Sequence, residues 1–287
     1  MAVNSKELFS YNNLIHAVSG AVGSMVGMIV FYPLDTVRCR LQLEDKRKAR
    51  NTVAVILDLV KEEGIGSLYK GIIPVLQSIC ASNFVYFYIY NGLKASVKGG
   101  EGGKDLILAS VAGAINVLLT TPLWMVNTRI KMSGITDARR YTGLIDGLVK
   151  VSNTEGVPAL WAGTVPSLIL VSNPAIHMAV YQSIKRRLSW RKEISALTYF
   201  SMSAVAKMIA TIITYPLQLA QAKLRHGSSD LAPSTGTIQL LIYVLKRQGV
   251  KGLYKGMEAK LLQTVLTTAL MFMTYEKIAA FVFRIMG

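Results

Sequence analysis

Pro33-Leu34-Asp35-Thr36-Val37-Arg38-Cys39-Arg40 is the stretch whose reading decides the fold. It closes an apolar run with a proline, then an acid, then two bases. The same frame returns as Pro122-Leu123-Trp124-Met125-Val126-Asn127-Thr128-Arg129 and as Pro216-Leu217-Gln218-Leu219-Ala220-Gln221-Ala222-Lys223. A second block follows each copy: Glu63-Gly64 to Tyr69-Lys70-Gly71, Glu155-Gly156 to Trp161-Ala162-Gly163, and Gln248-Gly249 to Tyr254-Lys255-Gly256. The closing glycines of these blocks are 92 and 93 residues apart. A third block follows in turn: Tyr90-Asn91 with Lys94, Tyr181-Gln182 with Lys185, and Tyr275-Glu276. Three blocks in three registers define an internal repeat, with units at 1–100, 101–192 and 193–287 forming one structural domain.

Around these blocks lie six apolar stretches: Leu14–Val37, Ile72–Leu93, Leu106–Val126, Val165–Ile184, Ala196–Ala220 and Leu261–Ile285. Each is long enough to cross a hydrocarbon layer of about 30 Å as a helix. They also carry Ser, Thr, Asn, Gln, Tyr and Lys207, which are costly against lipid and belong on faces turned toward a bundle interior or a watery pathway. The composition agrees: of 287 residues 52% are apolar and only 17% charged, with a mean hydropathy of +0.39. That excludes a disordered chain. The net charge of +16 would suit a nucleic-acid binder, but such a protein carries far more charged surface, so no nucleic-acid partner is expected. Cys39 and Cys80 cannot build a disulfide scaffold. The segment before the first span, with Lys6 and Glu7, lacks the features of a cleaved secretory signal or an Arg- and Ser-rich transit peptide.

Each unit thus reads as an odd-numbered span ending in the proline motif, a polar loop, and an even-numbered span. Within the first loop Val53, Ile56, Leu57 and Val60 predict a short amphipathic helix lying at the membrane interface. All three loops lie on one side of the membrane and carry most of the surplus positive charge, which suits anionic lipid head groups or an anionic solute.

The repeated blocks resemble the mitochondrial carrier signature, Pro-x-acid-x-x-base-x-base followed by acid-Gly and aromatic-base-Gly. The resemblance covers essentially the whole chain. It implies an all-α membrane protein: six transmembrane helices in three tandem pseudo-symmetric repeats, with short interfacial loop helices. It also implies alternating access, usually as strict exchange. Trp124, in place of the second acid, resembles the branch that carries nucleotides, FAD, NAD and folate. The runs 120–129, 83–88, 172–176 and 258–267 look most like the animal peroxisomal carriers of that branch, associated with coenzyme A, FAD, NAD and adenine nucleotides.

By resemblance, the acid position of each proline motif meets the base position of the next to close the inner, loop side. The expected inner-gate pairs are Asp35 with Asn127, Trp124 with Gln221, and Gln218 with Arg38, none of them a full ion pair. Asp35–Asn127 and Gln218–Arg38 can be charge-assisted hydrogen bonds, and Trp124 can offer only an indole donor. The outer gate pairs Asn91 with Lys185, Gln182 with Ala279, and Glu276 with Lys94. Pro33, Pro122 and Pro216 are expected to break the regular backbone bonding and to kink the odd spans together below the cavity. Gly23-x-x-x-Gly27 permits close helix contact.

Lys207 is the sharpest candidate substrate contact. It lies in mid-span, and Gln218, 11 residues on, falls on the same helix face. A cation at that depth marks a pathway, and a phosphate is its natural partner. Lys260, at the mouth of the sixth span, is similar but nearer the surface. The resemblance places the family's contact points at Ser78, at Ile169 and Leu170, and at Gln263, with Asn173 and Thr214 beside them. Apolar Ile169 and Leu170 suit a ring system better than a keto or amino acid.

No catalytic residue and no metal ligand set is expected: His16, His177 and His226 stand on different repeats, and no nucleophile–base pair or carboxylate pair is apparent. The nucleotide cofactors are therefore cargo, with no resident cofactor. Expected partners are small anionic nucleotides, membrane lipids including anionic ones, and peroxisomal membrane-insertion factors, with the chain working as a monomer. The expected location is the peroxisomal membrane, as a multi-pass protein. A mitochondrial folate, FAD or NAD carrier of the same fold, and a non-transporting docking protein, are the alternatives.

Overall fold

The computed structural model describes residues 25–45, 47, 51–96, 102–133, 141–188, 196–227 and 236–270. In the first repeat a helical turn over 25–30 leads through Phe31 into α1 (Tyr32–Leu43). The loop carries α2 (Thr52–Glu63) and a 3-10 turn (Ile65–Tyr69), followed by α3 (Ile72–Ser96). The second repeat runs through α4 (Gly102–Met132), α5 (Leu144–Glu155), a 3-10 turn (Val157–Trp161), α6 (Thr164–Leu170) and α7 (Asn173–Leu188). The third has α8 (Ala196–His226), α9 (Thr237–Leu253) and α10 (257–270). Among the described residues there is no extended strand, and four segments are long and apolar enough to cross a membrane: Ile65–Lys94, Ile107–Met132, Val157–Arg187 and Thr198–His226. The earlier part of the first expected span and the later part of the sixth fall outside the described residues, as do Gly23 and the repeat junctions near 100 and 192.

The three prolines act differently. Pro33 sits in the first turn of α1, where its missing N–H costs nothing, and the helix breaks ahead of it at Phe31. Pro122 and Pro216 stay inside continuous helices of 31 residues each. Those helices run well past Val126 and Ala220, the ends expected from apolarity, because the loop-side turns are held by polar contacts rather than by lipid. The fourth span is not one helix but two, parted at Val171 and Ser172. The Ser172 hydroxyl donates to the Ile169 carbonyl (2.7 Å), and Pro174 opens α7.

The loop side is built three times on one plan. Val37 and Leu41 of α1 pack with Val55, Leu59 and Leu68, together with Ala259 of α10. Met125, Val126 and Ile130 of α4 pack with Tyr141, Val151 and Leu160. Leu219 and Ala220 of α8 pack with Leu240 and Val244. Each buried Leu or Val contributes about 1.5–3 kcal/mol, so these clusters fix each loop helix beneath its odd helix. Of the four residues expected to mark an interfacial amphipathic helix, Val53 and Leu57 point outward, at 59% and 54% exposed, while Ile56 and Val60 pack partly against the cluster that holds buried Val55 and Leu59. The helix is apolar on two sides, and the outward one is left for the membrane interface. The motif glycines have a backbone reason: Gly64, Gly156 and Gly249 open the turns with φ of 81°, 90° and 68°, and Gly71, Gly163 and Gly256 lead into the even helices with φ of 78°, 79° and 84°.

α3 packs along α4 and α7 along α8, while α1, α4 and α8 touch one another pairwise on the loop side. Gly27 lets the first span approach α10 closely: a Cβ there would stand 3.0 Å from the Thr267 methyl.

Candidate functional site

Where the three odd helices converge, the chain buries polar side chains: Thr36, Arg40, Gln42, Ser78, Asn127, Arg129, Ser167, Thr211, Thr214 and Lys223. Buried polar groups must be bonded to be tolerated, and here the bonds cross the repeat boundaries. Between repeats one and three, Arg38 Nη2 donates to Gln218 Oε1 (3.2 Å), as the motif alignment anticipated. Gln218 in turn donates to Thr214 Oγ1 (3.2 Å), and Asn173 Nδ2 donates to the same hydroxyl (2.8 Å). One polar chain therefore runs from α7 through α8 to α1.

The other two inner pairs are not the expected ones. Asp35 does not bond Asn127. Its carboxylate is held by Lys131 and, at 3.7 Å, by Arg38. Lys131 lies one helical turn beyond Asn127 on α4 and is long enough to reach across, so a true ion pair replaces the weaker amide link. Asn127 instead donates to Ser78 Oγ (2.7 Å). Gln221 does not meet Trp124. It donates to Ser167 Oγ (2.7 Å), which also accepts from Arg225 Nη2 (3.1 Å). The half-buried Trp124 takes its backbone carbonyl into a bond with Thr128.

Gln42, Lys131 and Arg225 were missed in the sequence, although a signal was there. Each stands nine residues after its proline, and all three are polar. Each reaches the neighbouring repeat: Gln42 to the Tyr215 hydroxyl (3.0 Å), Lys131 to Asp35, and Arg225 to Ser167.

Below this layer, Arg40 pairs with Glu44 (2.8 Å) and Glu63 (2.7 Å), and Arg129 holds both oxygens of Glu155 (2.5 and 2.8 Å). The third repeat has Gln248 where the others have an acid. Asp45, from the first repeat, supplies the missing carboxylate: it accepts from Lys223 Nζ (2.6 Å) and from Gln248 Nε2 (3.0 Å). Burial alone would raise the Asp45 carboxyl. The Lys223 hydrogen bond and charge, the Gln248 amide and the Lys255 charge outweigh it and hold Asp45 below the usual carboxylate range. A depressed pKa in the folded protein adds stability at neutral pH that is lost as pH falls through the usual carboxylate value and then through the folded one. Asp45→Asn is therefore expected to lower the apparent melting temperature at pH 7. The gap to the parent should close as pH drops below about 4, the ordinary aspartate value; a gap independent of pH would refute this role for the charge.

The expected substrate contacts are divided by this closure. Lys207 and Ile169 are exposed; Lys260, Leu170 and Asn173 are half-buried. Lys260 lies within electrostatic reach of Arg38, Asp35, Lys207 and Lys131. Ser78, Thr214 and Gln263 are instead buried in the floor at 0%, 3% and 6%. The Gln263 amide oxygen is buried without a partner. On the opposite side Asn91, Lys94, Gln182 and Lys185 are all exposed. Lys94 pairs with Asp105 (3.6 Å) and sits over the Tyr90 ring, and Lys185 over the Tyr199 ring. Glu276 and Ala279, the expected partners of Lys94 and Gln182, lie outside the described residues. Among the described residues no group of His, Cys, Asp and Glu is arranged to hold a metal ion.

Three helix pairs around a polar floor, with cations above it, define a membrane transporter rather than an enzyme. The profile of the mitochondrial carrier protein family matches residues 9–101, 100–192 and 192–285, and the chain belongs to that family. Peroxisomal membrane protein PMP34 of Mus musculus is 51% identical over 98% of this chain and 97% of its own. The peroxisomal nicotinamide adenine dinucleotide carrier of Arabidopsis thaliana is 32% identical over 92% and 95%. Peroxisomal adenine nucleotide carrier 1 of Glycine max is 32% identical over 93% and 91%. With the first of these relatives spanning it end to end, the chain is a multi-pass protein of the peroxisomal membrane.

Proposed function

We propose that this carrier exchanges nucleotide cofactors, namely coenzyme A, FAD, NAD and adenine nucleotides of the AMP or ADP type, across the peroxisomal membrane by alternating access. The observation that carries the reading is the cluster of Lys131 and Arg38 paired with Asp35, with Lys260 in electrostatic reach of all three and Lys207 in reach of Lys260. Such a surplus of positive charge in a membrane interior asks for an anion, and a phosphate or pyrophosphate takes charge-assisted bonds from several donors at once. Ile169 and Leu170 offer an apolar wall for a base or flavin ring, and Asn173 a polar edge. The relatives support the same class, since those named above include carriers of nicotinamide adenine dinucleotide and of adenine nucleotides. The nucleotides are cargo, and no bound cofactor takes part. One chain supplies all three repeats, so the monomer is the working unit. Its positive loop face suits anionic head groups and peroxisomal membrane-insertion factors.

The test is exchange by the purified chain in liposomes loaded with AMP or coenzyme A. Uptake of external labelled FAD, NAD, coenzyme A or ADP that depends on the internal nucleotide is the expected result. Uptake independent of internal nucleotide would overturn exchange, and no uptake of any of them would overturn the cargo class.

A further inference from the structure

A second set of contacts crosses the repeat boundaries beneath the proline-motif layer. The last carbonyls of a helix have no partner within it and carry the negative end of its dipole. Each odd helix here ends against a cation from the preceding repeat. α1 ends at Leu43, and Lys255 of the third repeat donates to the Glu44 carbonyl (2.7 Å) and the Asp45 carbonyl (3.3 Å). α4 ends at Met132, and Lys70 of the first repeat donates to the Ser133 carbonyl. α8 ends at His226, and Arg129 of the second repeat donates through Nε to the Arg225 carbonyl (3.2 Å).

The pattern also accounts for a break in the sequence. Lys70 and Lys255 occupy the base position of the aromatic-base-Gly block, but the second repeat has Ala162 there. The missing ammonium is replaced by Arg129, from the same repeat's odd helix, and the ring of three caps stays complete. Arg129 still holds Glu155 with its other nitrogens. Two of the cations are anchored at their own backbones: the Lys70 carbonyl accepts from the Tyr32 hydroxyl (3.0 Å) and the Lys255 carbonyl from the Tyr215 hydroxyl (2.8 Å). The Lys70 and Lys255 caps thus join the start of one repeat's even helix to the carboxyl end of the next repeat's odd helix, and the Arg129 cap joins two odd helices directly.

We infer that Lys70, Arg129 and Lys255 form a second gate. These positioning residues hold the loop side shut by capping the carboxyl ends of the three odd helices across the repeat boundaries. Opening toward the loop side separates those ends and breaks all three caps together. Among the described residues two ion pairs cross a repeat boundary on the loop side, Asp35 with Lys131 and Asp45 with Lys223, neither of them between the second and third repeats, and the caps add closure at all three boundaries. The inference rests on the chain being an alternating-access carrier and is independent of its cargo.

The test uses the full chain with Cys39→Ser and Cys80→Ser and a single Gln263→Cys reporter in the buried floor. It is reconstituted in vesicles of known orientation without any nucleotide, and labelling by a membrane-impermeant maleimide is followed from each side. Lys255→Met is expected to raise labelling from the loop side about fivefold, the factor set by one helix-end cap, and to lower it from the opposite side. Lys255→Arg should return both rates to the parent values. Unchanged rates, or an equal rise from both sides as in a loosened fold, would overturn the inference. Lys70→Met gives the same reading at the next boundary if Lys255→Met does not reconstitute. Failure of both to give folded protein would also overturn it, by assigning the caps to the scaffold alone.

Discussion

Lys207→Ala is expected to raise the half-saturating concentration of a phosphate-bearing substrate in liposome exchange by roughly 10- to 100-fold, the equivalent of losing one charge-assisted hydrogen bond of about 1.5–3 kcal/mol. The residue sits within α8, a helix apolar and long enough to span the membrane, and its side chain is exposed. A lysine set against hydrocarbon in mid-helix would cost about 2.5–3.5 kcal/mol, so its exposure is exposure to water in the transport path. Among the described residues no carboxylate pairs with its ammonium, and the hydroxyl of Thr211, one turn on, bonds only the Lys207 backbone carbonyl. Its electrostatic neighbour is another cation, Lys260. Two lysines that repel each other across a watery space are stabilised by an anion between them, and that anion is the proposed cargo phosphate. Lys207→Arg, which keeps the charge, should retain most of the affinity. A Lys207→Ala carrier with unchanged half-saturation would remove the residue from the site and would favour a docking protein whose membrane-buried charge has no transport role.

How much of this was legible beforehand differs by level. The three-fold architecture followed from the repeated blocks, because a proline, an acid-glycine step and an aromatic-base-glycine step each leave a backbone mark that no side-chain packing can erase. The positive φ at Gly64, Gly156 and Gly249 is that mark seen in three dimensions. The inner-gate partners were only partly legible. Alignment tells which residues stand at one level of the bundle, and that sufficed for Arg38 with Gln218. It cannot tell how far a long side chain reaches, and so Lys131, one turn lower, displaced Asn127 as the partner of Asp35. Asp45 was hidden for a different reason. It belongs to no motif, and its role arises only because the third repeat has lost the acid at Gln248. Ser78 and Gln263 were read as lining the path, whereas closure on the loop side buries them; a position on the pathway-facing surface of a helix is a wall when the gate is open and a floor when it is shut.

Arg40→Ala is expected to be the most destabilising single change on the loop side, at about 3–5 kcal/mol, the cost of removing one partner from a buried ion pair. The Arg40 side chain is 1% exposed and serves two carboxylates at once, Glu44 (12% exposed) and Glu63 (26% exposed). Its loss leaves both charges facing a space the guanidinium had filled, and it unties α1 from the end of α2, next to the cluster of Val37, Leu41, Val55 and Leu59. For a chain of this size that corresponds to a fall of about 10 °C in apparent melting temperature, measured in detergent on the full chain. Arg40→Met refills most of the volume while still removing the charge, so the fraction of the loss that persists in it measures the stranded carboxylates rather than the cavity. Glu63→Gln should cost much less, since Arg40 keeps Glu44 and the site of Glu63 is partly wet. If Arg40→Ala and Glu63→Gln proved equally damaging, the energy would lie in the single Arg40–Glu63 bond and the three-charge cluster would not act as a unit. The ranking is expected to narrow in the second repeat, where Glu155 is the one carboxylate that Arg129 holds among the described residues. It should fail in the third, because Lys223 draws its carboxylate from Asp45, in another repeat, and losing that pair loosens the boundary between repeats instead of the fold within one.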